Sequence, residues 1–223
     1  RLADLPTERI QETIPQFHNG VLRIDALEKA VREDKQNRVE ATQPEIEFCQ
    51  TNRGIVQIFA DAQAKGELPQ RITHNDTKID NVLLDQDTDE VMCIVDLDTV
   101  MPGLIHYDFG DMVRTLTSPA DEDERDLDKV TMRMDFFDAL AKGYLSEAND
   151  FLSEAEKDYL AQAGKVITFQ LGVRFLTDHL NGDTYFRVHR EGQNLDRARV
   201  QFKLVERMLE NEEAMKATIA KLG

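Results

Sequence analysis

The chain has 223 residues and carries 27 Lys and Arg against 43 Asp and Glu, which gives a net charge of −16 at pH 7. This acidity argues against a nucleic-acid backbone as partner, because phosphate binding needs clustered Lys and Arg, and against an anionic membrane surface. The chain has no apolar run of transmembrane length, no signal-peptide pattern and only two cysteines, Cys49 and Cys93, so we expect a cytoplasmic protein without a disulfide framework.

The first third of the chain is predicted to be helical. Residues 7–16 form a short candidate helix with Thr7 as its N-cap, and residues 23–36 carry an apolar stripe at helical spacing. Residues 44–66 predict a longer helix, in which Gly54 weakens the middle.

The pattern changes between residues 71 and 100. Residues 82–84 and 91–95 are short apolar runs rich in β-branched side chains, and the polar residues 85–89 lie between them. This arrangement predicts a β-hairpin, the only sheet that the sequence indicates, with Cys93 buried inside it.

The rest of the chain is again predicted to be helical. Ser118, followed by Pro, is a good helix start, and the acidic residues 121–128 indicate a solvated helix face or loop. Ser153 and Glu156 match a capping box that opens a long helix. Asn194 is the predicted N-cap of the last helix.

The densest polar segment, residues 73–81, leads directly into the hairpin. Its spacing, His74-x-Asp76 and then Asn81 five residues later, fits the catalytic-loop pattern of kinases. Asp96 follows the second strand of the hairpin, twenty residues after the first Asp. A polar loop held by a small sheet is a rigid way to place functional groups.

Phosphoryl transfer requires this set of residue types. Asp76 is suited to orient the acceptor hydroxyl and take its proton late in the reaction. Asn81 and Asp96 offer a neutral and a charged oxygen to Mg²⁺, which prefers oxygen ligands. Lys78 is placed to neutralise charge on the transferring phosphate. The sequence leaves two roles possible for Asp98, a second metal ligand or a structural hydrogen-bond acceptor.

Two other interpretations are possible for the acidic residues in this part of the chain. In the simplest alternative, the loop is a polar turn in which Asp76 or Asp80 merely caps the backbone. Residues 108–110 also spell the Asp-Phe-Gly tripeptide that binds metal in protein kinases, but they do not directly follow the hairpin. We therefore expect Asp108 to support the loop together with His74, by hydrogen-bonding nearby backbone or capping a helix.

Several segments resemble the aminoglycoside phosphotransferase and choline kinase superfamily and, within it, the N-acetylhexosamine 1-kinases. The segments are residues 73–78, 94–103, 107–111 and 174–186, with Phe17 and His18 near the start. The resemblance implies a two-lobed, protein-kinase-like fold that uses ATP and Mg²⁺ to phosphorylate the anomeric hydroxyl of N-acetylglucosamine or N-acetylgalactosamine.

The resemblance also implies that Arg174 and Tyr185 contact the sugar. An arginine offers a planar fork of donors, and a tyrosine offers a ring and a hydroxyl. Without the resemblance, the ordinary interpretations are a surface salt bridge for Arg174 and a half-buried core position for Tyr185.

The fold expected from this resemblance is α+β and mostly α-helical, with one small hairpin that carries the catalytic loop. Residues 1–70 contain neither a Gly-rich loop nor a strand with a phosphate-binding Lys, and the chain begins with Arg1 rather than Met. We therefore expect residues 1–223 to be the C-terminal lobe of a longer kinase, without its nucleotide lobe. On its own, this lobe should bind ATP poorly and turn over little.

Two further functions remain open. One is a kinase for another alcohol, such as an aminoglycoside, choline or homoserine; the acidic composition suits a cationic acceptor, whereas Arg174 in the acceptor pocket opposes one. The other is a pseudokinase-like binding module, which has no need of Asp76, Asn81 and Asp96 together.

Overall fold

The computed structural model describes residues 2–88 and 90–223, so Arg1 and the last residue of the predicted hairpin turn, Asp89, lie outside it. The predicted α+β class is confirmed, because helices dominate and the strands are short. The helices are α1 (Gly20–Glu33), α2 (Gln43–Thr51), α3 (Gln57–Ala64), α4 (Ile105–Leu116), α5 (Met134–Ala148), α6 (Glu154–Leu180), α7 (Gln193–Glu210) and α8 (Glu212–Leu222). The strands are β1 (Arg71–Thr73), β2 (Val82–Leu84), β3 (Val91–Ile94) and β4 (Met101–Gly103).

The core is built around α6, the longest helix. Nearly every side of this helix is buried, polar side chains included, because α1, α4, α7 and α8 pack against it. Val166, Phe169 and Leu176 are completely buried on it. The predicted capping box of Ser153 and Glu156 is confirmed, with both reciprocal hydrogen bonds present.

The strands form two separate antiparallel pairs. The predicted hairpin is β2 with β3, where Val82 lies opposite Ile94. A second pair, β1 with β4, places Arg71 opposite Gly103, so the prediction of a single sheet is wrong. The second pair joins segments about thirty residues apart, and strands of three residues show no alternation long enough to recognise.

The hairpin is far more exposed than its sequence suggests. Cys93 is exposed, so the prediction that it is buried is wrong. Val91 and Met92 are each about two-thirds exposed, at 66% and 67%. Among the residues that the structure describes, no second layer packs against this hairpin, and its apolar side chains therefore face outward.

The predicted boundaries of the early helices need correction. Helix α1 confirms the apolar stripe of residues 23–36, but it begins earlier, after Asn19, whose side chain accepts the capping hydrogen bond. Residues 7–16 contain only a short 3₁₀ turn, Thr7–Arg9, which follows Pro6. The long helix predicted for residues 44–66 is divided into α2 and α3 by a 3₁₀ turn that contains Gly54.

The predicted helix start at Ser118 is also wrong. Helix α4 ends just before it, and the chain then runs irregularly to α5, apart from the 3₁₀ turn Leu127–Lys129. The acidic segment 121–128 is a loop, one of the two forms expected for it. It is tied to arginines around α7 by ion pairs such as Asp123 with Arg190 at 3.0 Å.

Asn194 does not cap α7 as predicted, because it is the second residue inside the helix and Gly192 occupies the cap position. Its side chain is completely buried. The side-chain amide donates to the carboxylates of Asp178 and Asp183 at 2.9 and 3.0 Å. Asn194 therefore fastens the start of α7 to the end of α6.

Stability should depend on pH through His106, which is buried in α4. Burial lowers its pKa from 6.5 to about 4, although its Nε2 donates to the carbonyl oxygen of Glu156 at 2.8 Å. Between pH 6.5 and 4, His106 is therefore protonated in the unfolded chain but largely neutral in the folded chain. We expect the free energy of unfolding to fall by about 3 kcal/mol over this range from His106 alone, and to be unaffected by it above pH 6.5.

Urea denaturation of the wild type and His106→Gln at pH 7, 5.5 and 4 checks this expectation. The variant should be less stable at pH 7 but should lose less stability on acidification. Equal losses in the two proteins would contradict it.

Candidate active site

The predicted catalytic loop is clamped between the two strand pairs. Asn75, directly before Asp76, has a left-handed backbone with φ of 66°, which Asn tolerates better than most residues. Its buried side-chain amide donates to the carbonyl oxygens of Thr73, Thr99 and Met101 at 3.2, 3.0 and 3.2 Å. These contacts fix the backbone that presents Asp76.

Gly103 makes room for this clamp. A Cβ at this position would lie 2.5 Å from the side-chain oxygens of both Asn75 and Thr73. No real Cβ approaches an oxygen so closely, so only glycine lets β4 run against the loop at this point.

His74 connects the loop to the strand that leads to Asp96. Its Nε2 donates to the carbonyl oxygen of Val95 at 3.2 Å, and its Nδ1 accepts from the backbone N–H of Asp76 at 3.3 Å. These two contacts agree with one neutral tautomer. His74 thus holds the two segments that carry the predicted acidic groups at a fixed separation.

Asp108 lies beneath the loop, and its carboxylate accepts from the backbone N–H groups of His74 and Asn75 at 2.9 and 2.7 Å. The predicted hydrogen bonding to backbone near the loop is therefore confirmed; a supporting role in catalysis stays a prediction. Burial raises the pKa of Asp108 to about 6, against the opposing effect of the two N–H groups. The Thr77 hydroxyl also donates to the Asp108 carbonyl at 2.7 Å, which ties the loop to α4.

Asp76 is held by side chains, not by the backbone of the turn. Its Oδ2 accepts from Asn81 Nδ2 at 3.0 Å and lies 3.2 Å from Lys78 Nζ. Asp80 is exposed. Within residues 2–88 and 90–223, neither carboxylate accepts from a backbone N–H of the turn, which counts against the capping alternative.

Asn81 and Asp96 come together at the open end of the hairpin. The backbone N–H of Val95 donates to the carbonyl oxygen of Asn81 at 2.9 Å, so Asp96 follows directly after this pairing. Asp96 is exposed and has a left-handed backbone with φ of 62°. Asp98 is also exposed, and its carbonyl oxygen accepts from the Thr13 hydroxyl at 3.1 Å.

The donor set at this place suits a hard cation. The Asn81 amide nitrogen is directed to Asp76, which leaves its oxygen as the donor atom for a metal, and Asp96 adds a charged oxygen. No group of three or more His, Cys, Asp or Glu in the described ranges is arranged to enclose a metal ion. Two protein oxygens are enough for Mg²⁺, which keeps water and substrate phosphates as its other ligands.

A pocket of about 410 Å³ opens beside the loop and joins the predicted residues from both ends of the chain. Asp76 and Lys78 line it together with Arg174 and Tyr185. Arg174 donates to the Tyr185 hydroxyl at 3.3 Å. Asp76, Lys78, Asn81, Arg174 and Tyr185 thus belong to one neighbourhood.

The ordinary interpretations of Arg174 and Tyr185 do not fit the structure. Tyr185 is 71% exposed and so is not a core residue. Arg174 has no ion-pair partner among the described residues; its guanidinium lies 5.3–5.6 Å from the ring centres of Phe17, Tyr185 and Phe186.

Asp178, which the sequence did not single out, positions the Tyr185 segment. Its carboxylate accepts from the backbone N–H groups of Thr184, Tyr185 and Phe186 at 3.0, 2.9 and 2.9 Å. The only signal was an Asp at the end of a long helix, followed by a Gly-containing turn.

Other pocket residues also escaped the sequence argument. His18 stacks on Tyr107 at 4.3 Å, donates to the Asn75 carbonyl oxygen at 3.0 Å, and has a pKa lowered to about 4, mainly by burial. Asp111 pairs with Arg114 at 2.7 Å, and its Oδ2 is buried without a partner among the residues described. Gln170 adds an amide. The resemblance included His18 and, within residues 107–111, Asp111, but it gave neither of them a role.

Comparison with protein families decides the kind of protein. The phosphotransferase enzyme family (APH) matches residues 2–151, which include the clamped loop, the hairpin and α4. The chain belongs to this family. Membership makes the chain a phosphotransferase of the kinase-like type, and such enzymes use ATP with Mg²⁺ and a small-molecule acceptor.

The match ends before α6, so Arg174 and Tyr185 lie outside the matched residues of the phosphotransferase. Family membership therefore does not identify the acceptor. None of the helices that the structure describes has both the length and the apolar character needed to cross a membrane.

Proposed function

We propose that this phosphotransferase transfers the γ-phosphoryl group of ATP to the anomeric hydroxyl of an N-acetylhexosamine, N-acetylglucosamine or N-acetylgalactosamine. The observation that carries the proposal is the shared pocket, which has Asp76 at the catalytic loop and the Arg174–Tyr185 pair on α6 and the following loop. Its volume of about 410 Å³ suits a single sugar ring.

In the proposed reaction, the acceptor hydroxyl donates a hydrogen bond to Asp76. As its oxygen bonds to the γ-phosphorus and the bond to ADP breaks, the proton passes to the Asp76 carboxylate. The transition state is loose, so a carboxylate of ordinary basicity suffices. Lys78, 3.2 Å from the Asp76 carboxylate, adds positive charge near the transferring group. Asn81 and Asp96 would hold Mg²⁺, which neutralises phosphate charge when bound.

The acceptor side favours a neutral, hydroxylated molecule over a cation. Arg174 presents N–H donors and Tyr185 presents a hydroxyl and an exposed ring, which match sugar hydroxyls and an acetamide carbonyl. A positively charged aminoglycoside or choline would face the Arg174 guanidinium, so these acceptors are the weaker alternative. A binding module without chemistry is weaker still, because the Asp76–Asn81–Lys78 contacts are intact.

We also infer that residues 1–223 act as the C-terminal lobe of a two-lobed kinase. The support is a set of exposed apolar side chains on the hairpin next to Asp96, which a nucleotide lobe and the ATP base would cover. These side chains are Leu83, Leu84, Val91, Met92 and Ile94.

Calorimetry tests the lobe assignment. ATP with Mg²⁺ should bind residues 1–223 at least about tenfold more weakly than the full gene product, because only part of the nucleotide site is present. Equal and tight binding by the two would contradict the assignment.

ADP release by the full gene product tests the proposed function. The acceptors are N-acetylglucosamine, N-acetylgalactosamine, an aminoglycoside, choline and homoserine. An N-acetylhexosamine should drive ADP release. ADP release driven only by another alcohol would mean that this alcohol, and not the sugar, is the substrate.

Arg174→Gln should raise KM for the N-acetylhexosamine by about tenfold or more, because it removes charged donors to the sugar, and should change kcat less. Arg32→Gln, on the exposed side of α1, is the matched control and should leave both constants unchanged. An unaltered KM in the Arg174 variant would mean that Arg174 does not contact the sugar.

A further inference from the structure

A second pocket, of about 240 Å³, adjoins the acceptor pocket on the far side of Arg174. The two pockets share Arg174, Tyr185 and Phe186. The second one is also lined by Arg23, from α1, together with the polar residue Thr184. A ligand that reaches past Tyr185 from the acceptor pocket would therefore meet two guanidinium groups.

Arg23 is incompletely satisfied at this place. One terminal nitrogen donates to the carbonyl oxygen of Phe17 at 2.9 Å and more weakly to that of Gln16 at 3.5 Å. Its Nε is buried and has no acceptor among the described residues. Because Arg23 and Arg174 line the same small pocket, their positive charges repel each other; burial lowers the pKa of Arg23, and the charge of Arg174 lowers it further.

The one carboxylate among the described residues that line this pocket, Asp178, forms no ion pair with Arg23 or Arg174. Asp178 accepts from three backbone N–H groups and from the side-chain amide of Asn194, so its oxygens are already engaged. Several other arginines of this acidic protein are closely paired, such as Arg38 with Asp183 at 2.6 Å and Arg71 with Glu156 at 2.7 Å. By contrast, Arg23 and Arg174 line one pocket, and neither has a carboxylate partner among the residues that the structure describes.

We propose that Arg23 and Arg174 form an anion subsite at the outer end of the acceptor pocket, which binds a phosphomonoester or a carboxylate. The anion would bridge the two guanidinium groups and relieve their repulsion. It arrives either on the acceptor, as a substituent distant from the reacting hydroxyl, or as free phosphate. Only the first source rests on the proposed function.

Calorimetry on the full gene product without nucleotide tests the subsite. It also distinguishes the two sources of the anion, the acceptor and free phosphate. The ligands are N-acetylglucosamine, N-acetylglucosamine 6-phosphate and inorganic phosphate. The proteins are the wild type, Arg23→Gln, Arg23→Lys and the control Arg32→Gln on the same helix, each checked for folding by circular dichroism.

If the acceptor carries the anion, the 6-phosphate should bind the wild type about tenfold or more tightly than the neutral sugar. The ratio of the two affinities should fall to about one in Arg23→Gln, recover partly in Arg23→Lys and persist in Arg32→Gln. Arg23-dependent binding of inorganic phosphate without a preference for the 6-phosphate identifies free phosphate as the occupant.

Arg23-dependent phosphate binding with no sugar binding would support the subsite while removing the proposed sugar substrate. The subsite is overturned if inorganic phosphate does not bind and the 6-phosphate binds the wild type no better than the neutral sugar, or if Arg32→Gln weakens anion binding as much as Arg23→Gln.

Discussion

Asp76→Asn is expected to lower kcat by about a thousandfold, the range that loss of a positioned general base produces. The amide is nearly isosteric with the carboxylate, so contacts like those to Asn81 and Lys78 remain possible while the site can no longer take the acceptor proton. Acceptor affinity should change little, because the pocket wall formed by Arg174 and Tyr185 is untouched. Steady-state kinetics of the full gene product and calorimetry with the sugar give the two quantities.

Asp80→Asn is the matched control, because it makes the same chemical change in the same loop on an exposed side chain. It should leave kcat within about twofold of the wild type, as surface changes usually do. If both variants lost activity equally, the effect would belong to the loop's charge, and the assignment of Asp76 as the base would fail.

Gly110→Ala is expected to destabilise the fold by about 3 kcal/mol, the upper part of the range for overpacking a core. A Cβ at Gly110 would lie 2.5 Å from the backbone carbonyl oxygen of Ala163, so α4 and α6 would have to separate. These helices hold Asp108 beneath the loop and Arg174 beside the pocket, so the change should also weaken acceptor binding. Urea denaturation measures the loss.

Gly143→Ala provides the control, since Gly143 also lies inside a helix but has nothing within 4 Å of the added methyl group. It should be neutral or stabilising by up to about 1 kcal/mol, because alanine favours a helix over glycine. Comparable destabilisation by both changes would mean that helix propensity, not close packing, explains Gly110.

This packing also accounts for the Asp-Phe-Gly tripeptide of residues 108–110. Asp108 accepts hydrogen bonds from the backbone of the candidate catalytic loop, and Phe109 is completely buried. Gly110 has no side chain and so lets α6 pack closely against α4. Each residue has a structural task, which agrees with the choice of Asp96 over Asp108 as the proposed metal ligand.

The candidate catalytic loop could be recognised in the sequence because its signal is local. Asp76 and Asn81 lie five residues apart in one loop, and the hairpin that follows requires only adjacent segments. The capping box at Ser153 was recognisable for the same reason, since it depends on residues three positions apart.

The elements that the sequence missed depend on contacts between distant segments. The pair of β1 and β4 joins three-residue strands, and β4 approaches Asn75 closely only because Gly103 has no Cβ. Cys93 looked buried because local apolar character does not reveal whether a second layer covers a hairpin. The helix predicted at Ser118 failed because the acidic loop is held by ion pairs with distant arginines such as Arg190.

The pocket shows the same limit. Arg174 and Tyr185 were proposed from a resemblance alone, and the same resemblance included His18 without giving it a role. Arg23 and Asp178 carry no local pattern that separates them from ordinary helix residues. Only the packing of α1 against α6 brings the first of these beside Arg174.

The central claim is that Asp76 directs transfer to the anomeric hydroxyl of an N-acetylhexosamine. Phosphorus and proton NMR of the product, made from ATP, Mg²⁺ and N-acetylglucosamine or N-acetylgalactosamine by the full gene product, tests it most directly. The account predicts a new phosphomonoester signal coupled to the anomeric proton and absent with Asp76→Asn. A phosphate on any other hydroxyl, or an anomeric phosphate that still forms at the wild-type rate in that variant, would contradict it.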